Sequence, residues 1–233
     1  MTTLILDASG PYAVIAVANE RGDVLSSMAF EASRTLSTRL FTQIESVLSA
    51  ASLTKEDLTA LAVGTGPGSF TGVRIGLTTF RTMAQVSGLP LVGIGTLDVY
   101  AEPLLALSFE RPVVSVLNSR RNEVYVSVYK NGARIGNAIA ESITAARQRI
   151  AGLALSDGGV ILCGRAETIG DAPGSVLIQQ RWPSADSLAR LAAARLNAGD
   201  LDSALALLPE YVVAPIITTP RDPSILAGSP EAR

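Results

Sequence analysis

The sequence predicts an α/β protein of two lobes, each a mixed sheet flanked by helices. Three observations carry this: the chain opens on three short apolar stretches separated by turn residues, alternates helical and strand periods to about residue 110, and then partly repeats that order. At 233 residues it has the length of one or two domains. A globule of this size buries roughly 70% of its unfolded surface, so a substantial core is available.

Residues 3–9 (TLILDAS), 12–19 (YAVIAVAN) and 24–30 (VLSSMAF) read as strands joined by Gly10-Pro11 and Arg21-Gly22-Asp23 turns, an antiparallel meander. From 36 to 51 the period changes, and Leu36, Leu40, Ile44, Val47, Leu48 and Ala51 share one helical face. LTALAVGTG is a buried strand ending in glycines, and a helix follows from about Thr71 to Ser87, stopped by Gly88-Leu89-Pro90. LVGIG is a short strand, and TLDVYAEPLLALS a helix with Thr96 as N-cap and Pro103 kinking or shortening it. Further on, RPVVSVLNS and NEVYVSVYKNG are adjacent strands, and the Asn131-Gly132 turn leads into ARIGNAIA as a third. ESITAARQRIAGL is helical, GGVILCG a buried strand, and SADSLARLAAARLNAG a helix capped by Ser184 and ending near Gly199. The expected boundaries are 1–110 for an N-terminal lobe, 111–213 for a smaller second lobe, and 214–233 for a proline-rich, extended or flexible tail.

Composition excludes several chemistries. The chain has no histidine and one cysteine, Cys163, so neither a Cys/His zinc site nor a Ser-His-Asp or Cys-His pair can be assembled. A net charge of −2 argues against a domain that grips nucleic acid alone, since such binding rests mainly on neutralising phosphates. Residues are 48% hydrophobic and 17% charged, with no apolar run near the ~20 residues of a spanning helix. The N-terminus lacks the basic and long apolar regions of a signal peptide, which predicts a cytoplasmic protein without a membrane segment.

The stretch GTGPGSFTGVRIG admits three readings. A glycine-rich turn into a helix can cradle a phosphate, but this one lacks the Lys-Ser/Thr of a P-loop, and Pro67 removes an N–H from the cradle. A nucleophile reading would use Ser69 or Thr71 with Lys55 or Lys130 as base. The third is architectural: glycines supply positive φ and close approach, with Ser69 or Thr71 capping the helix.

The strand and helix order is the topology of the ASKHA (actin, Hsp70 and sugar kinase) superfamily. Local motifs are more specific: Gly64, Gly66, Pro67, Gly68, Ser69, Phe70, Thr71, Gly72, Arg74 and Gly76 within GTGPGSFTGVRIGLTTFRTMAQ closely resemble the signature of the TsaB (YeaZ) family. LILDAS at 4–9, SRRNEVYVSVY at 119–129 and PEYV at 209–212 also resemble that family's motifs, so the likeness spans most of the chain to about residue 213. Asn118 stands where the family usually has Asp, beside Arg120, Arg121 and Glu123, and Leu36-Ser37 where it often has His-Ser.

The resemblance implies a non-catalytic partner of a TsaD-type transferase, which moves a threonylcarbamoyl group onto N6 of adenosine 37 in tRNA. A TsaE-type ATPase joins the pair, a homodimer forms when the chain is alone, and tRNA is met only through the complex. It implies no cofactor of the chain's own, ATP being used by the partners. The transferases carry a metal-binding histidine pair, which a histidine-free chain lacks. Pairing through N-terminal helices would place Leu36, Leu40, Ile44, Val73, Ile75, Thr79, Thr82 and Val86 at the partner interface, with Gly72 and Gly76 letting a second helix approach. The alternative is that both helical faces are buried in the chain's own layered core. Asp7, where ASKHA enzymes keep a metal- or phosphate-directed Asp, and Ser9 are the candidates for cofactor contact; a strand-end Asp is otherwise a turn residue. CGRAET is only a faint adenosine motif. The rival functions are an ASKHA-type ATP-binding enzyme, a glycoprotease of peptidase family M22, and a free-standing homodimer with an unrelated binding role.

Overall fold

The computed structural model describes residues 1–32, 35–107, 111–119, 122–170 and 172–212. The first sheet has the order β3-β2-β1-β4-β5, with β1 Thr2–Asp7, β2 Tyr12–Asn19, β3 Val24–Glu31, β4 Ala60–Gly66 and β5 Leu91–Gly95. The first three strands pair antiparallel, as short turns permit, whereas β4 and β5 pair parallel and need crossovers. Two helices fill these crossovers, α1 (Leu36–Ala50) before β4 and α2 (Phe70–Ser87) before β5. The second sheet has the order β10-β9-β6-β7-β8, with β6 Val113–Asn118, β7 Glu123–Lys130, β8 Ala133–Ser142, β9 Val160–Gly164 and β10 Ser175–Gln179. The remaining helices are α3 (Thr96–Leu105), α4 (Ile143–Ser156) and α5 (Ala185–Asn197).

Strand alternation divides the core into layers. Leu4 and Leu6 of β1 face Leu36, Leu40 and Ile44 of α1 and Leu77 and Phe80 of α2, while Ile5, between them, points to the opposite face. Each such side chain contributes about 1.5–3 kcal/mol on full burial. The second sheet packs Val114, Val116 and Val126 on Ala146 and Ile150 of α4. Its other face packs Val113, Leu117 and Cys163 on Leu97, Tyr100 and Ala101 of α3, which is wedged between the sheets.

Sequence expectation and structure meet at four points. The helix at 185–197 lies within the expected second lobe, yet Leu188, Ala189 and Ala192 pack on Ile5, Val14, Ala16 and Val92 of the first sheet, so the 111–213 segment is not a lobe by itself. A tertiary match of apolar faces overrides chain order here. Thr96 is the first residue of α3 and Gly95 its N-cap, because the threonine hydroxyl is engaged elsewhere. Strand β10 was not among the expected elements, although Val176-Leu177-Ile178 follows a Pro-Gly pair there. The proposed tail, 214–233, lies outside the described residues. Among those described, no helix is long and apolar enough to cross a membrane.

Candidate functional site

The end of β1, the glycine loop and the start of α3 meet at Asp7, which is fully buried. One carboxylate oxygen accepts from the Ser9 N–H at 2.8 Å and the Ser9 hydroxyl at 2.6 Å; the other accepts from the Thr96 hydroxyl at 2.8 Å. Burial raises the Asp7 pKa above its ordinary 3.8, against the opposing effect of these donors. A Cβ at residue 64 would run into this carboxylate, which is why β4 carries a glycine there. The two cofactor candidates, Asp7 and Ser9, are therefore tied to each other inside the protein.

From there the loop turns into α2. Gly66 adopts φ 92°, the bond to Pro67 is cis, and the Ser69 N–H donates to the Ser9 carbonyl at 2.6 Å. Ser69 is the N-cap, its hydroxyl accepting from the Gly72 N–H at 3.2 Å, while Thr71 is exposed. An added Cβ at Gly72 would collide with the Ala8 carbonyl oxygen, and one at Gly76 would lie 3.3 Å from a Leu6 methyl. These glycines bring α2 against β1, which corrects the expectation that they receive a foreign helix. Arg74 lies over the Phe70 ring, 3.6 Å from its centroid.

A cavity of about 500 Å³ opens between the lobes above this corner, lined in part by Ser9, Gly68, Ser69, Asn118, Tyr125 and Glu210. No lysine is among its lining residues: Lys130 is paired with Asp157, and Lys55 lines a different cavity. Neither of the lysines considered as a base for Ser69 or Thr71 is thus brought to this cavity. Arg120 and Arg121 lie outside the described residues. In CGRAET, Cys163 is buried, with its thiol pKa pushed up to about 12 by desolvation, and Arg165 pairs with Glu167 at 2.6 Å. Among the described residues no cluster of metal-ligating side chains forms.

A second cavity, about 540 Å³, lies along α1 and α2 and is lined by Phe41, Lys55, Leu58, Thr78, Thr79, Thr82, Met83, Val86, Ser87 and Leu89. Its wall is largely apolar, with Phe41 59% and Val86 84% exposed. Thr79, Thr82 and Val86, three of the expected interface residues, line this groove. Leu36, Leu40, Ile44 and Val73 do not: each is buried in the chain's own core and cannot meet a partner. Ile75 is half-buried against that same core. Sequence reading missed Phe41 and Met83; the available signal was an aromatic residue on the polar side of the 36–51 helix.

Two five-stranded mixed sheets with a cleft between them define an ASKHA-type protein. A hexokinase of the ROK type from Thermus thermophilus shares this fold at a TM-score of 0.50 and 14% identity, over 85% of this chain and 100% of that one. A Pseudomonas aeruginosa protein described as similar to peptidase YeaZ shares it more closely, at 0.75 and 24% identity, over 91% and 99%. The chain matches the family model described as TsaD: tRNA N6-adenosine threonylcarbamoyltransferase over residues 29–168, more than half its length, and belongs to that family. Its similarity is to the members named TsaB or YeaZ. The Haemophilus influenzae tRNA threonylcarbamoyladenosine biosynthesis protein TsaB is 38% identical over 96 residues, 41% of each chain. The Bacillus subtilis protein of the same name is 31% identical over 134 residues, 57% of each. The aligned parts thus span about two fifths to three fifths of those relatives' length.

Proposed function

We propose that this chain is a non-catalytic subunit of the machinery that makes N6-threonylcarbamoyladenosine in tRNA, pairing with and activating a TsaD-type transferase and helping a TsaE-type ATPase dock. The observation that carries this reading is the apolar groove along α1 and α2, where Phe41 and Val86 stand in solvent beside a row of threonines. Exposed apolar surface of this kind marks a protein interaction site. Alone, the chain would use the same groove to pair with a second copy. It works in the cytoplasm, holds no cofactor, meets tRNA only in the complex, and leaves ATP to its partners. The absence of histidine from the sequence and the enclosure of Asp7 by Ser9 and Thr96 support the non-catalytic role.

Co-expression with a TsaD-type protein of the same genome tests it. Val86→Glu and Thr82→Glu should each reduce co-purification at least about tenfold, because a charge buried in an interface is costly, while the variant chain keeps its circular dichroism and unfolding midpoint. Undiminished co-purification would remove the groove from the interface. ATP binding by calorimetry, or peptide hydrolysis by the isolated chain, would return the reading to an ATP-binding enzyme or a glycoprotease.

A further inference from the structure

Residues 199–212 follow α5 as a strap that is almost without regular structure, yet they are pinned at three places. At its start Arg195 donates to Asp200 and Asp202 at 2.8 Å each and to the Gly93 carbonyl at 2.5 Å. The Asp202 N–H joins the free edge of β5 at the Leu91 carbonyl, 2.9 Å away. In the middle, Arg81 of α2 donates to the Ala204 and Leu205 carbonyls, both at 2.6 Å. Close approach is possible because residue 93 is glycine: a Cβ there would stand 2.6 Å from a Thr65 methyl and 3.0 Å from Leu207.

The third place is the PEYV motif. The Glu210 N–H donates to the Thr65 carbonyl of β4 at 2.8 Å, and its carboxylate accepts from Arg134 of β8 at 2.9 Å. Arg134 also reaches Asp98 of α3 at 3.4 Å, and Asp98 accepts from the Tyr129 hydroxyl of β7 at 2.6 Å. Next along the chain, the Tyr211 hydroxyl accepts from Arg74 of α2 at 2.9 Å, and Arg74 stacks on Phe70. Two consecutive residues thus touch the first sheet, the second sheet and the first turns of α2, and both line the interlobe cavity. The Arg134 and Glu210 side chains are only 24% and 31% exposed, so their pairing is screened less than a surface ion pair. Among the described residues the buried Arg134 Nε has no partner, and carboxylates hold the arginine at its tip.

We propose that the strap is a clasp. Glu210 holds the second lobe against the first, Tyr211 carries that state to the start of α2, and closure of the cleft and the setting of α2 are one event. This does not depend on what α2 pairs with.

Hydrogen–deuterium exchange of the intact chain, read by mass spectrometry, tests it. Losing one charge-assisted hydrogen bond should be enough for Glu210→Gln and Arg134→Gln each to speed exchange about tenfold in both the β7–β8 hairpin and residues 70–76 of α2. The double variant should add little to either single one. Tyr211→Phe should loosen 70–76 and, because the coupling is reciprocal, the hairpin with it. The clasp is overturned if Glu210→Gln loosens the hairpin without α2, if neither region changes, or if exchange rises evenly with a lower urea midpoint, which would make the contact a general stabiliser.

Discussion

The two halves of α2 are built on opposite terms. In the first half Gly72 and Gly76 bring the helix backbone onto β1, whose Ala8 carbonyl leaves no room for a side chain. In the second half Thr79 and Thr82 line an open groove, and Val86 stands almost wholly in solvent. Packing brings the backbone itself onto the strand in the first half, whereas in the second Phe80 and Ala84 turn inward and the opposite face is free to meet something else. One helix therefore serves both as core and as surface, and a missing Cβ marks the core end.

The comparison can be broken most forcefully at Gly72. Gly72→Ala drives a methyl group into a backbone carbonyl that cannot rotate away, and should cost about 3 kcal/mol in urea unfolding. A loss below 1 kcal/mol would mean that the helix slides easily and the corner is loose. Asp7→Ala comes next, since it strands the Ser9 N–H, the Ser9 hydroxyl and the Thr96 hydroxyl, at about 2 kcal/mol. Its pH dependence has a defined sign. The folded-state pKa is raised, so the unfolded chain gives up this proton first, and the wild type's advantage over Asp7→Ala should shrink as pH rises from about 3.8, levelling off above the raised value. An advantage that grows with pH would contradict the burial. Gly76→Ala should be close to neutral: its methyl meets only the tip of Leu6, and alanine recovers about 1 kcal/mol of helix propensity. The smallest effect belongs to the free half, where Val86→Glu should shift stability by less than about 0.5 kcal/mol. A large loss there would mean that the groove is part of the fold.

Much of the architecture was legible because its signals are local. Continuous apolar runs announced the interior strands, and a change of period announced α1 and α2. The Ser69 and Ser184 caps were readable for the same reason. The surface was not legible in this way. Leu36, Leu40, Ile44 and Val73 form the clearest apolar stripes, and such a stripe finds the protein's own core. The groove that remains open draws its apolar wall from scattered residues such as Phe41, Leu58, Met83 and Val86, with Thr78, Thr79 and Thr82 between them, and no single helical period links these. Asp7 was noticed, but its enclosure depends on Thr96, which lies 89 residues away in the chain. Strand β10 is short, and its one signal, the three-residue apolar run Val176-Leu177-Ile178, is too brief to separate from a loop. In the strap, PEYV was a recognisable motif, yet its contacts with Arg134 and Arg74 arise only from the fold.

The packing of α5 on the first sheet has a consequence for how the chain is made. Ile5, Val14, Ala16 and Val92 are all in place once the ribosome has passed residue 95, but the helix that covers them spans 185–197. During synthesis this apolar face stays bare for about 100 residues of elongation, several seconds or longer at typical rates. The N-terminal sheet is the first to be made and must wait for one of the last helices to be sealed.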